Sequence, residues 1–138
     1  MYIWTLPVDD FMKANYEFFE RIYYEFSEKN KLKFEECIKI FTSIGVSAES
    51  AKFCYGMSKM TVAMDSHNNQ FYTMEFVEFL EMVCRIADKK FRGTEMANME
   101  LQMKIGFILD ELLPLIGETE RNQIDEHIIE ISESDEDY

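Results

Sequence analysis

The stretch DSHNNQFYTMEFVEFLEMV, residues 65–83, decides how this chain folds. Short polar residues run into the aromatic pair Phe71-Tyr72. A helical apolar pattern follows, with Phe76, Leu80, Val83 and Ala87 on one side. A polar turn feeding an amphipathic helix needs a helix to enter it. Upstream, Ser47 is placed to cap one that carries Phe53, Met57, Met60 and Met64. The same order occurs once before. Met12, Tyr16, Phe19, Tyr23 and Phe26 recur at spacings of 4, 3, 4 and 3, a single helical stripe. The polar break SEKNK follows, and then Phe34, Ile38 and Phe41, with Cys37 and Ile44 beside them, run to Gly45.

Outside these four helices the pattern stays helical. Asp9 or Asp10 can cap the first helix by accepting from its free N–H groups. Gly93-Thr94 reads as a stop and a new cap for a fifth helix, over residues 94–113. Leu101, Ile105, Ile108, Leu112 and Leu115 mark one of its faces, and Met99, Met103 and Phe107 another. A helix apolar over most of its circumference is normally buried, and Pro114 should end or kink it. A weaker helical pattern runs from Thr119 through Ile124, Ile128 and Ile131. With five glycines, two prolines and no convincing period-two alternation, the expectation is an all-α fold.

Two tandem helix–loop–helix units with phased Glu-apolar exits resemble an EF-hand pair. KLKFEECIKIFTSIG (31–45) is similar to the end of a first loop and its exit helix in calmodulin and troponin C relatives, and FYTMEFVEFLEMV (71–83) to the second. The resemblance implies an EF-hand-like pair over 11–92, an N-terminal arm over 1–10, an additional apolar helix over 93–117 and an acidic helix or tail over 118–138. It also implies a short β-bridge between the loops. With Glu36 and Glu75 taken as the twelfth loop residues, Leu32 and Phe71 occupy the eighth positions and face each other across that bridge.

A calcium loop of this family needs oxygen ligands at positions 1, 3, 5, 7, 9 and 12, and glycine at 6. Counting back from Glu75 places Met64 first, Ser66 third, Asn68 fifth and Asn69 sixth. Glu75 is then the only carboxylate in a ligand position. The first loop places Glu25, Ser27, Lys29 and Asn30 at the same points, with a lysine where a ligand belongs. The expectation is an EF-hand architecture with degenerate loops and no calcium. Its alternative is a sensor with an eleven-residue loop, 65–75, in which Asp65, Asn68 and Glu75 hold the ion.

Charge and cysteines narrow the function classes. The formal net charge of −13 disfavours nucleic acid and anionic membrane, and favours a basic protein segment or a cation. No run of 18 apolar residues occurs, and the N-terminus lacks the basic region of a secretory signal. Cys37, Cys54 and Cys84 have no CxxC spacing and read as reduced, buried thiols of a cytoplasmic protein. Cys54 with His67 could be drawn as nucleophile and base, but a reactive thiolate needs an electropositive, accessible setting. Glu75, Glu78 and Glu81 near one helical face read as a solvated surface. No phosphate loop, GxSxG or HExxH motif occurs, so an enzyme is the weakest reading. Residues 118–138 hold nine acids against Arg121, and Ser132 and Ser134 each precede an acid by three residues, as acidophilic kinases prefer.

The resemblance implies a non-catalytic, light-chain-like subunit that binds a basic or amphipathic helix of a larger assembly, cytoskeletal or axonemal by analogy. The groove between its helices would be lined by Phe19, Phe41, Met57, Met60, Phe79, Leu80 and Val83. Trp4, Leu101, Ile105, Ile108 and Leu112 would add contacts. The fifth helix is expected to fold back over that groove in the free protein.

Overall fold

Asn15 breaks what the sequence reads as one long first helix. The computed structural model describes residues 4–59 and 72–122, and in it α1 (Leu6–Ala14) and α2 (Tyr16–Phe26) meet at this residue. Asn15 is fully buried, and its side-chain amide donates to Phe11 O at 3.3 Å and to Asn122 O at 3.2 Å. A local side-chain bond to the backbone four residues back competes with helix continuation, and here a distant segment joins in. The cap of α1 is not Asp9 or Asp10 but Thr5, whose hydroxyl accepts from Val8 N–H, with a proline in the first turn.

The next elements follow the sequence expectation closely. α3 (Phe34–Ser43) leaves the first loop and stops before Gly45, whose φ of +91° suits glycine. α4 (Ala48–Lys59) starts after Ser47, whose hydroxyl accepts from Ser50 N–H. α5 (Phe76–Lys90) is the exit helix of the opening stretch and ends in a turn at Gly93. Between the two loops lies a two-stranded antiparallel ladder, β1 (Leu32–Lys33) with β2 (Thr73–Met74). Its register differs from the expected one. Leu32 stands opposite Met74, and Lys33 opposite Thr73. Phe71, expected opposite Leu32, lies outside the described residues, as do Met60, Asp65, Asn68, His67 and residues 123–138.

The last described helix, α6 (Leu101–Leu112), begins seven residues later than Thr94. Residues between Gly93 and Glu100 form successive turns instead, and Lys104 Nζ reaches back to Ala97 O at 2.8 Å. Pro114 sits in a short 3₁₀ turn, Leu113–Ile116, closed by Gly117 at φ +77°. The resulting fold is mostly helical, with one small sheet joining two helix–loop–helix units.

The core sits between α2, α3, α5 and α6. Phe19, Ile22, Tyr23, Phe41, Phe79, Val83, Ile105, Ile108 and Leu112 are all at zero exposure within it. α4 turns a different face inward from the one its methionines suggest. Ala51, Cys54, Tyr55, Ser58 and Lys59 are buried, whereas Phe53 is 58% exposed. The Tyr55 ring packs edge-on against Phe34 at 4.8 Å, so the larger amphipathic ring takes the interior.

Candidate functional site

Two places on this fold have the makings of a site: the ends of the paired loops, and the apolar face beneath α6. At the first, the two loops differ. Glu28 and Lys31 exchange both backbone hydrogen bonds, at 2.8 and 3.1 Å, around Lys29 and Asn30, which have φ of +54° and +66°. Two consecutive left-handed residues make this a tight primed turn. The Lys31 carbonyl is thereby used within the turn, and the Lys33 ammonium pairs with the Glu28 carboxylate at 2.9 Å. Glu36 points away to Lys39 at 3.7 Å.

At the second loop a buried ion pair occupies the ladder's end. Lys59, the last described residue of α4, places its ammonium 2.9 Å from Glu78 Oε1 and 2.7 Å from the carbonyl oxygen of Thr73. The two side chains are only 3% and 5% exposed. Glu78 Oε1 also accepts from the backbone N–H of Glu75 at 2.8 Å, closing the first turn of α5. Glu78 Oε2 is buried with no hydrogen-bond partner among the described residues. Tyr23 ties the arrangement to α2, its hydroxyl lying 2.6 Å from Met74 O and 3.0 Å from Asn30 O. Burial raises the Tyr23 phenol to about 12.

These contacts revise the expected ligand residues. Glu75, the expected twelfth residue, is exposed at the N-cap of α5. The buried carboxylate is Glu78, which the sequence places on a solvated face with Glu75 and Glu81. Among the described residues no group of three or more His, Cys, Asp or Glu is arranged to hold a metal. The one signal for this pair was a lysine closing an apolar helix, too common a feature to single out.

The apolar face beneath α6 is closed. Of the expected groove residues, Phe19, Phe41, Phe79, Leu80 and Val83 are buried. Phe79 lies between Tyr23 and Phe41, with ring centroids at 5.7 and 6.0 Å. Ile105, Ile108 and Leu112 are buried as well, with α6 packed chiefly on α5 and also against α1. Leu101 is half-buried at its start. Met57 is not part of this surface. It lines a shallow outer pocket with Phe53, Cys54, Arg85, Lys89 and Arg92.

The segment after the 3₁₀ turn straps α6 in place. Arg21 binds Glu118 at 2.6 Å, and Arg121 binds Asp110 at 3.0 Å while lying over the Phe11 ring. Arg121 passes so close to Gly106 that a Cβ there would meet its guanidinium at 2.9 Å. Asn122 closes the strap: its N–H donates to Asn15 Oδ1 at 2.7 Å and its side chain to Ala14 O at 2.9 Å.

The cysteines sit inside. Burial pushes the Cys84 thiol up to about 12 and raises Cys37 and Cys54 as well. Such thiols are poor nucleophiles. Trp4 is partly exposed, and Tyr16, Tyr24 and Val77 present open apolar surface across α2 and the start of α5. The rings of Tyr16 and Phe76 meet edge-on at 5.2 Å, and Tyr24 stacks on Phe76 at 6.4 Å. No described helix is long and apolar enough to cross a membrane. Searches against family models, curated proteins and solved structures found no match to this chain.

Proposed function

We propose that this chain is an EF-hand-like, non-catalytic protein-binding subunit of light-chain type that works without calcium. The observation that carries the reading is the antiparallel ladder joining the α2–α3 loop to the α4–α5 loop, with Leu32 opposite Met74. In an EF-hand pair the eighth loop positions oppose each other. Leu32 and Met74 then take those positions, and Glu36 and Glu78 become the twelfth residues (32 + 4 and 74 + 4). Calcium does not fit the residues present. In the first loop the position-7 carbonyl of Lys31 is spent on Glu28, and in the second the Lys59 ammonium lies on the oxygens an ion would take.

With α6 closing the internal face, the partner binds outside. The exposed strip of Tyr16, Tyr24 and Val77 carries Glu17 and Glu25 beside it. Aromatic anchors flanked by carboxylates suit a basic amphipathic helix, in keeping with the net charge of −13. The test is affinity capture from cells with the wild-type chain and with Tyr16→Ala/Tyr24→Ala, each in chelator and in millimolar calcium. The expected result is one partner set, rich in basic helices, unchanged by calcium and lost in the double variant. Capture that appears only with calcium overturns the reading.

A further inference from the structure

Lys59 sits where a divalent ion would, and its contacts define a role for it. In the frame set by Leu32 opposite Met74, Thr73 is the seventh loop residue and Glu78 the twelfth. Those positions supply a backbone carbonyl and a bidentate carboxylate to the ion in a working loop. Here the ammonium binds that carbonyl at 2.7 Å and one oxygen of that carboxylate at 2.9 Å. The other carboxylate oxygen, Glu78 Oε2, is buried and has no hydrogen-bond partner among the described residues. An ammonium has three donors on a single point charge; here one meets the Thr73 carbonyl and one Glu78 Oε1, which replaces part of an ion's coordination.

We infer that Lys59 is the resident cation of the second loop: a side chain of the protein takes the ion's place on the Thr73 carbonyl and the Glu78 carboxylate and ties the end of the ladder to the exit helix α5 permanently. The inference rests on the EF-hand-like reading above and adds what replaces the ion. It accounts for three facts together: a lysine at 3% side-chain exposure, a carboxylate beside it at 5%, and an oxygen of that carboxylate with no hydrogen-bond partner among the described residues. The same ammonium thus meets both groups that the seventh and twelfth positions offer an ion, the Thr73 carbonyl and the Glu78 carboxylate. A bound ion stabilises the folded state only while its concentration exceeds its dissociation constant, whereas a tethered ammonium is always present. The pair is thus unresponsive to calcium by construction.

The test removes the tether and offers ions back. Thermal melts of wild type, Lys59→Ala and Lys59→Met/Glu78→Gln are run in chelator, in 10 mM-range calcium, and in sodium chloride of matched ionic strength. Wild type should not respond to calcium. Lys59→Ala should melt at least about 10 °C lower in chelator, because a buried carboxylate loses its partner. Calcium, but not sodium, should restore a good part of that loss. Tyrosine-sensitised terbium emission should appear in Lys59→Ala and be absent in wild type. The double variant, which carries no buried charge, should melt near wild type and ignore calcium, so that it reports on the site even if Lys59→Ala folds poorly.

A Lys59→Ala protein that melts like wild type overturns the inference. So does one whose loss is cured by Glu78→Gln but not by calcium or terbium, since that describes a plain ion pair. Calcium-dependent partner capture by the wild-type chain would instead strike the functional reading, and these melts would still report on the lysine separately.

Discussion

Tyr23 shows how much one buried polar atom can hold together here. Its ring packs against Phe76 and Phe79, and its hydroxyl spans the two loops by facing Met74 O and Asn30 O. Removing the hydroxyl takes away the one O–H donor that Met74 O and Asn30 O share. Tyr23→Phe should therefore cost about 1–3 kcal/mol in urea unfolding, although the ring volume is kept. The buried thiols make a second residue-scale prediction. Cys84 is raised from 9 to about 12, so between those values the native state holds a proton that the unfolded state has released. Stability is then full below pH 9 and falls as pH rises toward 12. Tyr23, raised from 10 to about 12, acts in the same direction. Midpoints measured from pH 7 to 11 should be flat to about 9 and then decline. Thiol labelling at pH 8 should proceed only at the rate of unfolding.

At the scale of elements, α6 carries a large share of the core. Its Ile105, Ile108, Leu109 and Leu112 are at zero exposure, while Met103 on its other side is half exposed. Leu112→Ala should cost about 2–5 kcal/mol, and Met103→Ala should stay within about 0.5 kcal/mol. Equal effects at the two positions would show that this helix does not belong to the core. The periodicity of residues 94–113 announced a buried helix, and its burial follows directly from that. Its late start at Leu101 was not legible. The turns after Gly93 are set by tertiary bonds such as Lys104 Nζ to Ala97 O, not by local propensity. The same holds for the break at Asn15, where the stripe from Met12 to Phe26 runs on in sequence. There the Asn15 side chain bonds both to Phe11 O and to Asn122, 107 residues away, a partner that no local pattern announces.

Across the whole molecule, charge opposes compaction. With a net −13 and nine described ion pairs, most of them solvent-exposed, self-repulsion should outweigh the small gain of surface pairs. Raising sodium chloride from about 0.02 to 0.5 M shortens the screening length several-fold. The thermal midpoint should rise by a few degrees. A fall would mean that the surface pairs, the strap contacts Arg21–Glu118 and Arg121–Asp110 among them, contribute more than the repulsion. Because calcium also screens, its effect on any variant has to be compared at equal ionic strength.

What the sequence determined by itself was periodic: helices at 3.6-residue spacing, the polar break after Phe26, the cap at Ser47, the stop at Gly93, and an apolar C-terminal helix that had to be buried. Those properties are written in neighbouring residues and need no distant partner. Tertiary structure alone decided the ladder register, which face of α4 turns inward, and the choice of Glu78 over Glu75 as the interior carboxylate. Each depends on groups far apart in the chain. A carboxylate can be buried only where a cation and donors meet it, and around Glu78 these are Lys59 from the end of α4 and the Glu75 N–H, with the Thr73 carbonyl on the same ammonium.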